Sequence, residues 1–171
     1  MSYQNDNWKE KERLENLSSK EIMKEAYPGW SDIIESSFSQ AEEIIKNKKN
    51  KLQNKKDISK EEKTELNALK NLDLDEIFYM KEKYWYLDLT TNFSIPNYEE
   101  LQDIIIKAYE KSSETCQICW KDWKIRWELS WFKALCDKHF IKEAKKEIEE
   151  RDTLHTKKLK KSLMDMGVDF E

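Results

Sequence analysis

Apolar residues recur along the chain with two periods, and the change from one to the other marks out its elements. Ile34, Phe38, Ala41 and Ile45 fall at steps of three and four, which predicts an amphipathic helix. Leu66 and Leu69 carry a second helix, and Leu101, Ile104, Ile105 and Ala108 a third. Punctuation agrees with this division. Ser18-Ser19-Lys20-Glu21 and Ser59-Lys60-Glu61-Glu62 have the form of capping boxes. Tyr27-Pro28-Gly29 stops the first short helix, Ser31 is placed to cap the next, Asn97 follows Pro96 as a third cap, and Ser112-Ser113 ends that helix. From Ile77 to Leu89 the pattern changes. Aromatic and apolar residues flank Lys81-Glu82-Lys83, as in a β-hairpin or a step from a helix end into a strand. Beyond residue 139, Ile141, Ala144, Ile148, Leu159 and Leu163 predict a long C-terminal helix stopped at Gly167. Its alternating charges suit an exposed helix that faces solvent or a partner.

Between Trp120 and Leu135 the two periods compete. Trp120, Trp123, Trp127 and Trp131 match a helix, whereas Trp123, Ile125, Trp127 and Leu129 alternate with Lys124, Arg126 and Glu128 as in a strand. The flanking residues decide between them. Cys116-x2-Cys119 precedes the stretch and Cys136-x2-His139 follows it. These pairs have the spacing of tetrahedral Zn²⁺ ligands, each pair biting from a tight turn. Sixteen helical residues would span about 24 Å at 1.5 Å per residue, and two ligand pairs that share an ion must meet. A hairpin brings them together, so a zinc-ribbon-like hairpin is expected, with the tryptophans packed behind it.

Composition narrows the chemistry. The 171 residues hold 38% hydrophobic and 39% charged residues with two glycines and two prolines, a helix-rich balance. Seven Trp, seven Tyr and six Phe supply large side chains for a core. The formal charge of −4 argues against a general nucleic-acid binder, although local basic patches remain open. The first seventeen residues have no apolar core, so no signal peptide is expected, and no stretch is apolar enough to span a membrane. A cytoplasmic, reducing setting follows as the expectation, in which three cysteines serve a metal better than a disulfide framework.

The expected ligands are Cys116, Cys119, Cys136 and His139, with zinc in a structural role. Four paired ligands fill the coordination shell, whereas catalytic zinc keeps a position open. No H-x-E or H-E-x-x-H arrangement accompanies them, so neither a deaminase nor a metalloprotease is supported. His155 reads as a lone surface histidine. Two further features concern binding. The tract from Lys46 to Lys56, with Lys48, Lys49, Lys51, Lys55 and Lys56, is either a solvated helix end with its loop or a basic finger for phosphate or RNA. The tryptophans are either core or a base-stacking platform flanked by Lys124 and Arg126.

Several motifs together resemble a group of small uncharacterised proteins of phages and prophages. They are Gly29-Trp30, Lys81-Glu82-Lys83-Tyr84, Ser112-Ser113, Cys116-x2-Cys119, Lys124-Ile125-Arg126, Trp131 and Leu135-Cys136-Asp137-x-His139. The chain departs from that pattern at Trp120, where the group carries a glycine. That glycine supplies a positive φ in the zinc turn, so the geometry of the turn is the open point. The Lys-rich stretch at about 46–60 stands out as an insertion. The resemblance implies a mobile-element origin and a structural zinc.

The expected architecture is a single domain of mainly helical α+β class. Residues 1–75 form a helical part, 76–140 an aromatic hairpin, a helix and the zinc element, and 141–171 the C-terminal helix. The expected function is a non-enzymatic interaction protein that binds and inhibits a bacterial defence complex, in the manner of anti-CRISPR inhibitors of nuclease ribonucleoproteins. Its partner would be a host protein or ribonucleoprotein, with RNA as a further candidate and neither membrane nor small-molecule substrate. The alternative is a nucleic-acid-binding zinc-ribbon-like module.

Overall fold

In a computed structural model the chain is described over residues 17–151 and 153–170. The expectation about a signal peptide concerns residues almost wholly outside that range. The fold is α+β and mainly helical. Helices α1 (Ser19–Ala26), α2 (Ser31–Gln53) and α3 (Lys60–Asn71) lead into a hairpin of β1 (Phe78–Lys83) and β2 (Tyr86–Thr91). Helix α4 (Glu99–Ser113) follows, then a smaller hairpin of β3 (Lys124–Arg126) and β4 (Lys133–Leu135), then α5 (Asp137–Glu150) and α6 (Leu154–Asp165).

Two of the expected caps form and two do not. Ser18 and Ser59 each close a full capping box, with Glu21 and Glu62 returning the hydrogen bond to the cap backbone. Ser31 instead begins α2 itself, because the 3-10 turn Pro28–Trp30 runs straight into it. At α4 the cap position is Tyr98, again without a side-chain cap, and Asn97 accepts from Gln102 Nε2 at 2.9 Å instead.

The first core is built on α2. Its apolar stripe of Ile34, Phe38, Ala41 and Ile45 is buried against Leu101, Ile104 and Ala108 of α4 and Phe78, Leu87 and Leu89 of the first hairpin. Phe38 and Phe78 meet edge to face at 5.4 Å between centroids. The hairpin is antiparallel with Lys83 opposite Tyr86, so Tyr84 and Trp85 make its two-residue turn. Tyr84 takes φ +61° there, the left-handed conformation such turns require. The buried Ser112 hydroxyl accepts from Leu87 N at 2.9 Å and ties β2 to the last turn of α4.

A second core lies C-terminal to the first. Leu129 and Leu135 of the small hairpin pack with Phe140 and Ala144 of α5 and Leu159 and Leu163 of α6. The C-terminal segment is helical, as its pattern indicates, but in two pieces that pack on each other. Thr153 opens α6 with its own capping box to Thr156, and Arg151 before it is extended. The segment therefore does not project: one face of each helix is buried. Gly167, at φ +79°, ends α6 as expected, and Val168 N bonds back to Leu163 O at 3.0 Å. Among the described residues no helix is long and apolar enough to cross a membrane.

Candidate metal centre

The first ligand pair sits on a tight turn just after α4. Cys116 N donates to Lys121 O at 3.0 Å and Trp120 N to Cys116 O at 3.2 Å, which folds the backbone around the two sulfurs. Gln117 N donates to Ala134 O at 3.0 Å and fastens the turn beside β4. From the other side Gly29 N donates to Gln117 O at 2.8 Å, and Trp30 Nε1 to Thr115 O at 3.3 Å. The second pair comes from the opposite strand. β4 ends at Leu135, Cys136 is the residue before α5, and His139 lies in its first turn.

This brings the four side chains together. Their ligand atoms all lie within 4.8 Å of one another and could hold a metal ion. Cys119 Sγ is 3.7 Å from Cys136 Sγ, and His139 Nδ1 is 3.3 Å from Cys136 Sγ and 3.5 Å from Cys116 Sγ. Cys116 and Cys136 are buried, and Cys119 and His139 partly so. Burial lowers the His139 pKa, helped by Lys138 and Lys142, and so favours the neutral imidazole that a metal needs. Burial opposes the Cys136 thiolate, but backbone N–H groups of His139 and Lys138 and the neighbouring thiols outweigh it, and its pKa is lowered. Cys119, by contrast, is raised, chiefly by burial.

Trp120 departs from the expected glycine and takes φ +65° all the same. The turn keeps its left-handed residue, and a bulky side chain carries the strain. Three of the four tryptophans in this stretch are also placed otherwise than expected, whereas Trp123 is half-buried against the second core. The stretch from Trp120 to Leu135 does form a hairpin, but Trp120, Trp127 and Trp131 are 58%, 59% and 63% exposed. The reason lies in volume: Leu129, Leu135 and Phe140, with α6 behind them, already fill the space behind the strands. Among the described tryptophans only Trp30, far upstream, is fully buried.

The residues expected to bind a partner are scattered. Arg126 is buried: it donates to Leu135 O, pairs with Asp137, and its guanidinium lies 4.4 Å from the Phe140 ring centre. It therefore braces the hairpin against α5, while Lys124 beside it is exposed. Lys48 and Lys51 lie on the last turns of α2, where Lys48 pairs with Glu100 at 3.0 Å and lies over the Tyr98 ring. Lys55 pairs with Glu62 at 2.7 Å, Lys49 is half-buried, and Lys56 is exposed. His155 is half-exposed and lies 3.3 Å from a Glu147 oxygen.

One surface escaped the sequence reading. Phe132, Trp127, Trp85, Tyr86 and Tyr109 form a run of neighbouring rings, with centroids 5.1, 6.4, 6.2 and 4.6 Å apart in turn. Tyr84 joins it at 5.7 Å from Trp85. This aromatic seam crosses from the first hairpin to the second and to α4, over the junction of the two cores. Its one sequence signal is Tyr84-Trp85-Tyr86, three aromatics in a row at a turn, where polar residues are usual. Comparison with protein-family models, with curated proteins and with solved structures found no match to this chain.

Proposed function

We infer that this is a non-enzymatic interaction protein whose binding surface is the aromatic seam, held in place by a structural zinc. The observation that carries the reading is where the backbone strain falls. Tyr84, at the hairpin turn within the seam, takes a positive φ without being glycine and presents an exposed aromatic ring. A left-handed conformation costs a bulky residue about 1–2 kcal/mol, and exposing the ring recovers little of it by burial. Aromatic anchors of this kind dominate protein–protein interfaces. Exposed Ile106 lies one helical turn from Tyr109 on α4 and extends the apolar surface.

Zinc is supported by the edge lengths of the ligand cluster. With Zn–S about 2.3 Å and Zn–N about 2.0–2.1 Å, a tetrahedron has edges of about 3.8 Å between sulfurs and about 3.5 Å between sulfur and nitrogen. Three of the six separations, 3.7, 3.5 and 3.3 Å, fit those edges, and all six lie within 4.8 Å. Three thiolates and an imidazole leave no open position for substrate, which favours a clip over a catalyst. A protein of this build acts by occupying a surface, and a bacterial defence complex is the proposed target.

The test combines metal analysis with partner capture. Protein purified without added metal should contain one zinc per chain. Replacing Tyr84 and Trp127 with serine should leave thermal unfolding unchanged and abolish capture of the partner from bacterial lysate. A metal-free folded protein would overturn the zinc, and seam variants that unfold the chain would make the seam part of the core.

A further inference from the structure

The metal turn carries a second surface that the seam does not use. Its chemistry is cationic. Residues 116–142 hold six Lys and Arg against three Asp and Glu, in a chain of net charge −4. A zinc bound by three thiolates lowers that local surplus by one and leaves it positive. Three of the lysines gather on one spot. Lys138 adjoins His139, Lys142 lies one turn further along the same face of α5, and Lys121 follows the first ligand pair. All three are exposed. Among the described residues none of the three is ion-paired.

The carboxylates nearby are mostly engaged. Asp137 holds Arg126, and Glu143 holds Lys133 at 2.6 Å. Asp122 is exposed beside Lys121. Beside these charges stands Trp120, 58% exposed at φ +65° and stacked on no other ring among the described residues. Ile118, on the same turn, is also exposed. Trp120 and Lys138 are chain neighbours of Cys119 and His139, whose ligand atoms converge within 4.8 Å.

We propose that the metal turn binds single-stranded nucleic acid, with a base stacked on Trp120 and its flanking phosphates held by Lys121, Lys138 and Lys142. An exposed ring offers its face to any base, and lysines without carboxylate partners are free to replace the counterions of a phosphate backbone. A duplex buries its base faces in its own stack, so the indole selects the unpaired strand. The inference rests on the zinc clip proposed above, which sets these groups side by side, and is independent of the seam.

Fluorescence anisotropy with labelled oligouridylate and oligothymidylate of about twelve nucleotides tests it. The probe meets the full chain, with metal content and thermal unfolding measured on the same sample. Binding should weaken as salt rises, and it should favour the single strand over a duplex of equal length. Trp120→Gly removes the ring and suits the backbone, so the fold is kept while affinity falls about tenfold. Lys121→Glu, Lys138→Glu and Lys142→Glu together should abolish binding and its salt dependence. A folded, zinc-loaded protein that ignores both oligonucleotides at low salt would overturn the proposal, as would binding indifferent to Trp120→Gly. A protein partner captured through Trp120 without nucleic acid would overturn it too. A folded chain without zinc would remove the clip on which it rests.

Discussion

Gly29 and Gln117 lie in backbone contact across the junction of the two cores. The Gly29 N–H donates to the Gln117 carbonyl at 2.8 Å. A β-carbon on Gly29 would lie 2.0 Å from Cys116 O and 2.9 Å from Cys119 N, and backbone atoms so placed have nowhere to retreat. Gly29→Ala should therefore destabilise the protein by about 3 kcal/mol. It should also weaken metal binding, because the atoms displaced belong to the metal turn. Thermal unfolding and a competitive zinc titration of the same variant measure both effects.

Trp120 gives the opposite expectation. Glycine relieves the strain at φ +65°, offset in part by the greater freedom of the unfolded chain. Trp120→Gly should be neutral or stabilising by up to about 1 kcal/mol, and Trp120→Val should destabilise by about 1 kcal/mol or more. Denaturant unfolding of the two variants side by side separates strain from lost contact.

Removing a ligand tests the clip. Cys136→Ala should cost several kcal/mol, because the binding energy of a structural metal is also folding energy. A strong chelator should lower the unfolding temperature of the native chain and leave that of the variant unmoved.

Arg126→Ala should destabilise by about 2–4 kcal/mol, since it strips Leu135 O, Asp137 and the Phe140 ring of one shared partner. Arg126→Lys should not restore the loss, because an ammonium cannot reproduce a flat guanidinium lying on a ring. Circular dichroism melting of both variants is the check.

Glu147 supplies a pH dependence. Burial opposes its charge, but the hydroxyl and the N–H of Ser130 outweigh that and lower its pKa. A lowered folded value means stability present above the unfolded pKa, near 4.3, and lost as pH falls through the depressed value. Ser130 lies in the loop that carries Trp127 and Trp131. Tryptophan fluorescence should therefore change in acid in the native chain, and Glu147→Gln should show the changed signal already at neutral pH.

Periodicity made the helices legible, because Ile34, Phe38 and Ala41, or Leu101, Ile104 and Ala108, can share a buried face in only one conformation, while the change of pattern after Ile77 left the first hairpin as one of two readings. Ligand spacing and the need for closure made the second hairpin and the four-residue cluster legible. The division of the C-terminal helical segment was less so. Thr153 and Thr156 form a capping box without the usual acidic partner, inside a pattern whose apolar steps continue from Ile148 to Leu159. The exposure of Trp120, Trp127 and Trp131 was not legible at all. It depends on which of two apolar sets, the indoles or the residues of α5 and α6, fills the space behind the strands, and periodicity is blind to that choice. Arg126 was misread for the same reason, since a cation on a strand gives no sign of a carboxylate and a phenyl ring waiting on the next helix.

The two separate cores set an order of events during synthesis. Every buried apolar residue of the first core, from Trp30 to Ala108, precedes Cys116 in the chain. The buried apolar residues of the first core have all been made before any cysteine leaves the ribosome. The metal turn would thus close onto a finished seat at Gly29, and an ion held there would be captured only after the first core is complete. A cell short of the ion would accumulate chains half built, with the first half folded and the cysteines still open to oxidation.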